Sequence, residues 1–153
     1  MFNGKKVSLV FPAYNEEKNI GNAIDEFKRI KIFDEILVVD NNSKDKTAKV
    51  AKAKGTIVVK EMNQGYGFAL RRGLAEAKGD YIVLSEPDGT FDAKDSLALL
   101  SHIKNFDMVT GTRTNRKFLR EGANMNPFLW LGNIFVAKLL QLFYGTNYLS
   151  DCG

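Results

Sequence analysis

The sequence is poor in the residues that build closed metal centres and covalent staples: it has one cysteine and one histidine in 153 residues. The lone Cys152 excludes an internal disulfide and a cysteine-based zinc site, and fits a reducing compartment, so the cytoplasm is the expected location. His102 lies on a predicted helix away from the strand ends and reads as structural. No run reaches the roughly 18 uninterrupted apolar residues of a membrane span. The first apolar run, VSLVF behind Lys5 and Lys6, is too short for a signal-peptide core. Neither G-x-G-x-x-G nor G-x-x-x-x-G-K-[ST] occurs, which removes the main support for dinucleotide oxidoreductase and P-loop readings. A strong excess of one charge is also missing. The net charge is +4 with acidic and basic residues interleaved, so anionic ligands are welcome but nucleic acid is not an expected partner.

What is present is an ordinary globular composition, 44% hydrophobic and 26% charged, at a length that suits one domain spanning 1–153. Apolar β-branched runs alternate with helical spacing. KVSLVF (6–11) reads as a strand ending at Pro12, and the segment to Ile30 places Ile20, Ala23, Ile24, Phe27 and Ile30 on one helix face. EILVVD (35–40), TIVVK (56–60), YIVLS (81–85) and DMVTGT (107–112) read as further strands. Helices are expected over 46–55, about 67–78 and 95–104. Such alternation predicts an α/β fold, a Rossmann-like three-layer α/β/α sandwich with a mostly parallel sheet. Right-handed crossovers bring the loops that leave the strands to one edge, where open α/β sheets bind ligands.

Each predicted strand exit is polar: PAYNEE, DNNSKDKT, EMNQGYG, EPDG and TRTNRK. The fourth is the most pointed. In LSEPDGTFD, two carboxylates flank a proline directly after an apolar strand. Pro87, Asp88 and Gly89 suit a turn. Equally, Glu86 is driven extended by the proline after it, so Glu86 and Asp88 can project to one side as hard oxygen ligands for Mg²⁺ or Mn²⁺ on a diphosphate.

FPAYNEEKNI, LVVDNNSKDKT, NQGYGFALRRGLAEAKGDYIVLSEPDGTFD and GTR, in that order, resemble the inverting family 2 glycosyltransferases of GT-A fold. The nearest branch is the polyprenyl-phosphate (dolichol-phosphate) mannosyl- or glucosyltransferases, and the resemblance covers about residues 5–113. It implies a hexosyltransferase with a UDP- or GDP-hexose donor and a divalent metal. It places Pro12, Ala13, Tyr14 and Glu16 in the nucleotide pocket, with Asp40 accepting from base or ribose and Asn42 beside it. Gly65 and Gly67 admit the donor close to the backbone, and Arg71 reaches phosphate. The family's Asp-x-Asp stands here as Glu86-Pro87-Asp88.

Beyond residue 112 the composition changes. Arg113, Arg116, Lys117 and Arg120 lie in a basic loop, 113–127, which reads either as a solvated surface or as a site for a lipid phosphate acceptor. Residues 128–144 form an apolar segment whose Asn133, Lys138 and Gln141 fall within about 140° at about 100° per residue. That segment suits a core helix or a helix lying at the cytoplasmic face of a membrane. The closing LSDCG resembles the start of a family motif near the acceptor, with Asp151 a candidate general base; on that resemblance the chain is expected to be C-terminally short. Two other readings compete: a non-catalytic nucleotide-sugar-binding or regulatory subunit, and a nucleotidyltransferase, which lacks its expected Gly- and Lys-rich loop near the first strand.

Overall fold

The computed structural model describes residues 1–111 and 127–144. Strand β1 (Val7–Ala13) is followed by α1 (Ile20–Ile30), β2 (Glu35–Asp40), α2 (Thr47–Ala53), β3 (Ile57–Lys60), α3 (Tyr66–Glu76), β4 (Tyr81–Leu84) and α4 (Asp95–His102). A 3₁₀ turn, Ile103–Asn105, extends α4. Contacts divide the chain into two compact units, Met1–Asn105 and Phe106–Gly153.

The first unit holds a four-stranded sheet, ordered β3-β2-β1-β4, with every pairing parallel. β1 is central and buried along its whole length. Alternation along it feeds two cores. Val7, Leu9, Phe11 and Ala13 join Ile20, Ile24 and Phe27 of α1, Ala51 of α2 and Leu100 of α4. Val10 joins Leu37, Val39 and Ala69 of α3 on the opposite face. The three layers follow from that division, as the sequence predicts. Phe11 and Phe27 meet edge to face, with centroids 5.2 Å apart at 87°, a geometry that favours aromatic pairs.

α3 lies close to the sheet because residue 73 is glycine. A Cβ there would sit 2.4 Å from Val10 Cγ1, so any side chain would lift the helix or displace the valine.

Two sequence expectations are corrected. β1 does not end at Pro12 but pairs on with β2 through Pro12↔Val39 and Ala13↔Asp40. The nitrogen of Pro12 faces the β4 side, so its missing N–H is no loss to the β2 pairing. The fifth strand expected over 107–112 does not form within the described residues 107–111. Phe106 and Met108 are 63% and 59% exposed, and a strand without a buried face or a ladder partner has nothing to fix it.

In the second unit the described element is α5 (Pro127–Tyr144), the helix expected over 128–144. Leu131, Phe135, Val136, Leu142 and Phe143 are exposed on it, and Ala137 is buried. Among the described residues, no helix is long and apolar enough to cross a membrane.

Candidate functional site

The sheet order reverses between β1 and β4, which marks the ligand-binding crevice of open α/β sheets at the strands' carboxyl ends. Pro12 shapes this point. The β1–β4 ladder closes with Val10↔Leu84, and the Ser85 N–H donates to the Val10 carbonyl at 3.1 Å. The next parallel bond would run from residue 12 N–H to the Ser85 carbonyl, and proline has no N–H to give. β4 therefore leaves β1 at Ser85, and Glu86-Pro87-Asp88 turns away beside the free end of β1. The Ser85 hydroxyl is buried there without a hydrogen-bond partner among the described residues.

The exits of β1 and β2 are clasped together. Glu16 N–H donates to Thr47 Oγ1 at 2.8 Å and Glu17 N–H to Asp45 Oδ2 at 3.0 Å; in return Lys46 N–H donates to Glu17 Oε2 at 2.8 Å. Asn15 N–H donates to Ser43 Oγ at 3.1 Å, while Asn15 Oδ1 accepts from Lys44 N–H at 2.9 Å. Burial raises the Asp45 pKa, but the Thr47 hydroxyl and the Thr47 and Glu17 N–H groups outweigh it and hold the carboxyl below its ordinary value. Asn15 and Asn42 adopt left-handed φ of 56° and 58°, a region asparagine tolerates better than most side chains.

A cleft of about 310 Å³ opens beside this clasp, lined by Pro12, Ala13, Tyr14, Asn41, Gln64, Gly65, Tyr66 and Ala69. It lies where β1 and β2 end and α3 begins. The N-cap of α3 is Gly65, which has no side chain to cap the helix, and the positive end of a helix favours anions. Gly65 takes φ 143° there, a conformation open to glycine.

Of the residues named from sequence, Pro12, Ala13, Tyr14 and Gly65 meet in this cleft. Asp40 ends β2 level with Ala13, is 5% exposed, and accepts from Ser43 N–H through Oδ1 at 3.2 Å. Glu16 turns its carboxylate locally, with Oε2 accepting from Asn19 Nδ2 at 2.8 Å. Gly67 and Arg71 are exposed on α3, outside the cleft lining. A Cβ at Gly67 would meet nothing within 4 Å, so packing within the protein does not itself call for glycine there. Glu86 is half-buried and Asp88 exposed, and Asp88 Oδ1 accepts from Thr90 N–H at 2.9 Å and Thr90 Oγ1 at 2.7 Å. Arg113, Arg116, Lys117, Arg120 and Asp151 lie outside the described residues.

The cleft lining also holds Asn41, Gln64, Tyr66 and Ala69, which the sequence reading does not name. Asn41 was hidden in the doublet DNNS, where either asparagine suits a turn. Its signal would have been its place directly after the buried end of β2.

Among the described residues, no three or more His, Cys, Asp or Glu side chains gather to hold a metal by themselves. Two carboxylates from one loop suit instead a Mg²⁺ or Mn²⁺ that brings its other oxygen ligands from waters and a bound diphosphate.

A family model described as Glycosyl transferase family 2 matches residues 8–151. The low-salt glycan biosynthesis hexosyltransferase Agl6 of Haloferax volcanii is 32% identical over 95% of this chain and 36% of its own length. Human dolichyl-phosphate beta-glucosyltransferase is 35% identical over 56% of the chain and 32% of its own. Glucosyl-3-phosphoglycerate synthase from Mycobacterium tuberculosis, solved with UDP, superposes with a TM-score of 0.61 at 30% identity, covering 68% of this chain and 42% of that one. The same synthase has been solved with Mn²⁺, UDP and glucosyl-3-phosphoglycerate; that structure matches with a TM-score of 0.52 at 35% identity over 55% of this chain and 34% of that one. The chain thus spans about a third to two fifths of the length of these three proteins.

Proposed function

The chain belongs to glycosyl transferase family 2, and on that premise we propose that it binds a UDP- or GDP-hexose at the carboxyl edge of its sheet and transfers the hexose, with inversion, to a polyprenyl (dolichyl) phosphate. The observation that carries the donor half is the cleft at the ends of β1 and β2, which gathers Pro12, Ala13, Tyr14 and Gly65 against the start of α3. Its size, about 310 Å³, suits a nucleoside more than a whole nucleotide sugar. Base and ribose are therefore assigned to the cleft and to Asp40, which ends β2 level with Ala13, with the diphosphate extending toward the β1–β4 crevice.

In the transfer, an oxygen of the acceptor attacks the anomeric carbon from the face opposite the leaving group, and the bond to the nucleoside diphosphate breaks. Asp88, with Glu86, would hold the divalent ion, which when bound supplies charge neutralisation for the departing diphosphate. A phosphate acceptor is ionised at neutral pH, so the demand on Asp151 as a general base is small; a hydroxyl acceptor would raise it. The acceptor assignment draws support from the likeness to the human dolichyl-phosphate enzyme and from the basic run Arg113, Arg116, Lys117 and Arg120.

Calorimetric titration of UDP, GDP and their hexose conjugates, with Mn²⁺ and with EDTA, tests the donor half. Saturable binding by one nucleotide series that Asp40→Ala weakens for the free nucleoside as well as the diphosphate is the expected result. No binding by either series would overturn it.

A further inference from the structure

Asn41 is 4% exposed, and its backbone N–H and both ends of its side-chain amide are engaged. Its N–H donates to the Ala13 carbonyl at 2.9 Å. Its side-chain Nδ2 donates to the Glu61 and Asn63 carbonyls at 3.3 and 2.7 Å, and its Oδ1 accepts from Gly65 N–H at 2.8 Å. One buried amide thus joins the exits of β1 and β2 to three backbone positions of the loop between β3 and α3.

We infer that Asn41 is a positioning residue: its amide holds the 61–65 loop as the wall of the nucleotide cleft and so sets nucleotide affinity. The inference rests on the donor reading above. Local chemistry alone does not fix this loop. Besides the Asn41 amide, Glu61 N–H donates to the Asp40 carbonyl at 2.9 Å, Asn63 N–H donates to Glu61 Oε1 at 2.7 Å, and the Gly65 carbonyl accepts from Phe68 and Ala69 N–H of α3; between these ends the course of residues 62–65 turns on Gly65 at φ 143°, a conformation a free chain shares among many others. A carboxamide meets the requirement of two donors and one acceptor in a single plane. Aspartate would keep an acceptor for Gly65 N–H but set a carboxylate oxygen against two carbonyls. Alanine would leave the loop's part-buried carbonyls and the Gly65 N–H without their partner on the protein, which releases the loop.

The test compares the 153-residue chain with Asn41→Ala, Asn41→Asp and Gly65→Ala, the last releasing the same loop from its other end. Amide hydrogen exchange without nucleotide and calorimetric titration with UDP and GDP in Mn²⁺ are read on each variant whose far-UV circular dichroism matches wild type. Asn41→Ala should speed exchange at Gly65 and weaken the preferred nucleotide at least tenfold. Asn41→Asp should lose affinity while retaining more protection at Gly65. Combining Asn41→Ala with Gly65→Ala should weaken binding little beyond either single change, since both free one loop. Folded variants with unchanged affinity overturn the role of Asn41, and Asn41→Asp and Gly65→Ala decide the matter should Asn41→Ala not fold. Failure of wild type to bind any nucleotide is a different result, which overturns the donor reading on which the inference rests.

Discussion

Glu17 and Asp45 hold the first two strand exits together, the Glu17 N–H donating to Asp45 Oδ2 at 3.0 Å while Asp45 Oδ1 accepts from Thr47 N–H at 2.9 Å. Those bonds need an ionised carboxylate, and they lower its pKa in the folded state against the opposing effect of burial. A depressed folded pKa contributes stability that is present above the unfolded value, about 3.9 for aspartate, and is lost as pH falls through the folded value. Urea unfolding followed from pH 7 downward should therefore show stability falling below about pH 4. Asp45→Asn should start lower at pH 7 and lose less on acidification. An identical pH slope in the two proteins would remove Asp45 from the acid response.

Gly73 and Val10 form a second dependent pair. Gly73→Ala should cost about 1–3 kcal/mol by overpacking, because its Cβ would lie 2.4 Å from Val10 Cγ1. Displacement of α3 also moves Tyr66 and Ala69 in the cleft lining, so nucleotide affinity should fall with stability. Val10→Ala removes the obstructing methyl groups. In the double variant, part of both losses should return, and strictly additive losses in a thermal-melt and titration cycle would show that the two sites do not couple.

Much of this architecture is legible in the sequence. β2, β3 and β4 fall where the apolar β-branched runs predict, and α1 buries the predicted Ile20, Ala23, Ile24 and Phe27. These elements carry their period in their own residues. The end of β1 does not: a proline reads locally as a stop, whereas the ladder decides which side of the strand its nitrogen faces. DMVTGT has strand-like composition but no pairing within the described residues. Asn41 escaped for a related reason, since its partners Glu61, Asn63 and Gly65 lie 20 to 24 residues away. Pro12, Ala13, Tyr14 and Gly65, which the sequence names and which line the cleft, each lie at or beside a strand or helix end on the shared edge.

The divalent ion gives an asymmetric expectation for Glu86 and Asp88. Glu86 stands where the family pattern has its first aspartate and carries a longer, less constrained side chain, while Asp88 is oriented by Thr90. Asp88→Ala should weaken nucleoside diphosphate binding in Mn²⁺ more than Glu86→Ala does. Neither change should alter binding of the free nucleoside. Equal diphosphate affinity in Mn²⁺ and in EDTA would sink the metal assignment.

On the acceptor reading the basic run and α5 serve one ligand together. Leu131, Phe135 and Leu142 are 59%, 65% and 77% exposed, and at about 100° per residue they fall within about 40° of one another. A water-facing apolar stripe of this kind suits the boundary of a bilayer, while arginine forks suit a phosphate oxygen. Replacing Arg113, Arg116 and Arg120 with glutamine should weaken binding to liposomes containing polyprenyl phosphate and leave nucleotide affinity nearly unchanged. Phe135→Ser with Leu142→Ser should weaken binding to those liposomes and to neutral ones alike, because apolar insertion does not depend on the phosphate. Added salt should reduce the arginine-dependent part alone, as exposed charges are screened beyond about 8 Å at physiological ionic strength. Wild type that binds neutral and polyprenyl-phosphate liposomes equally would leave the arginines as a solvated surface, with the membrane contact, if any, carried by α5.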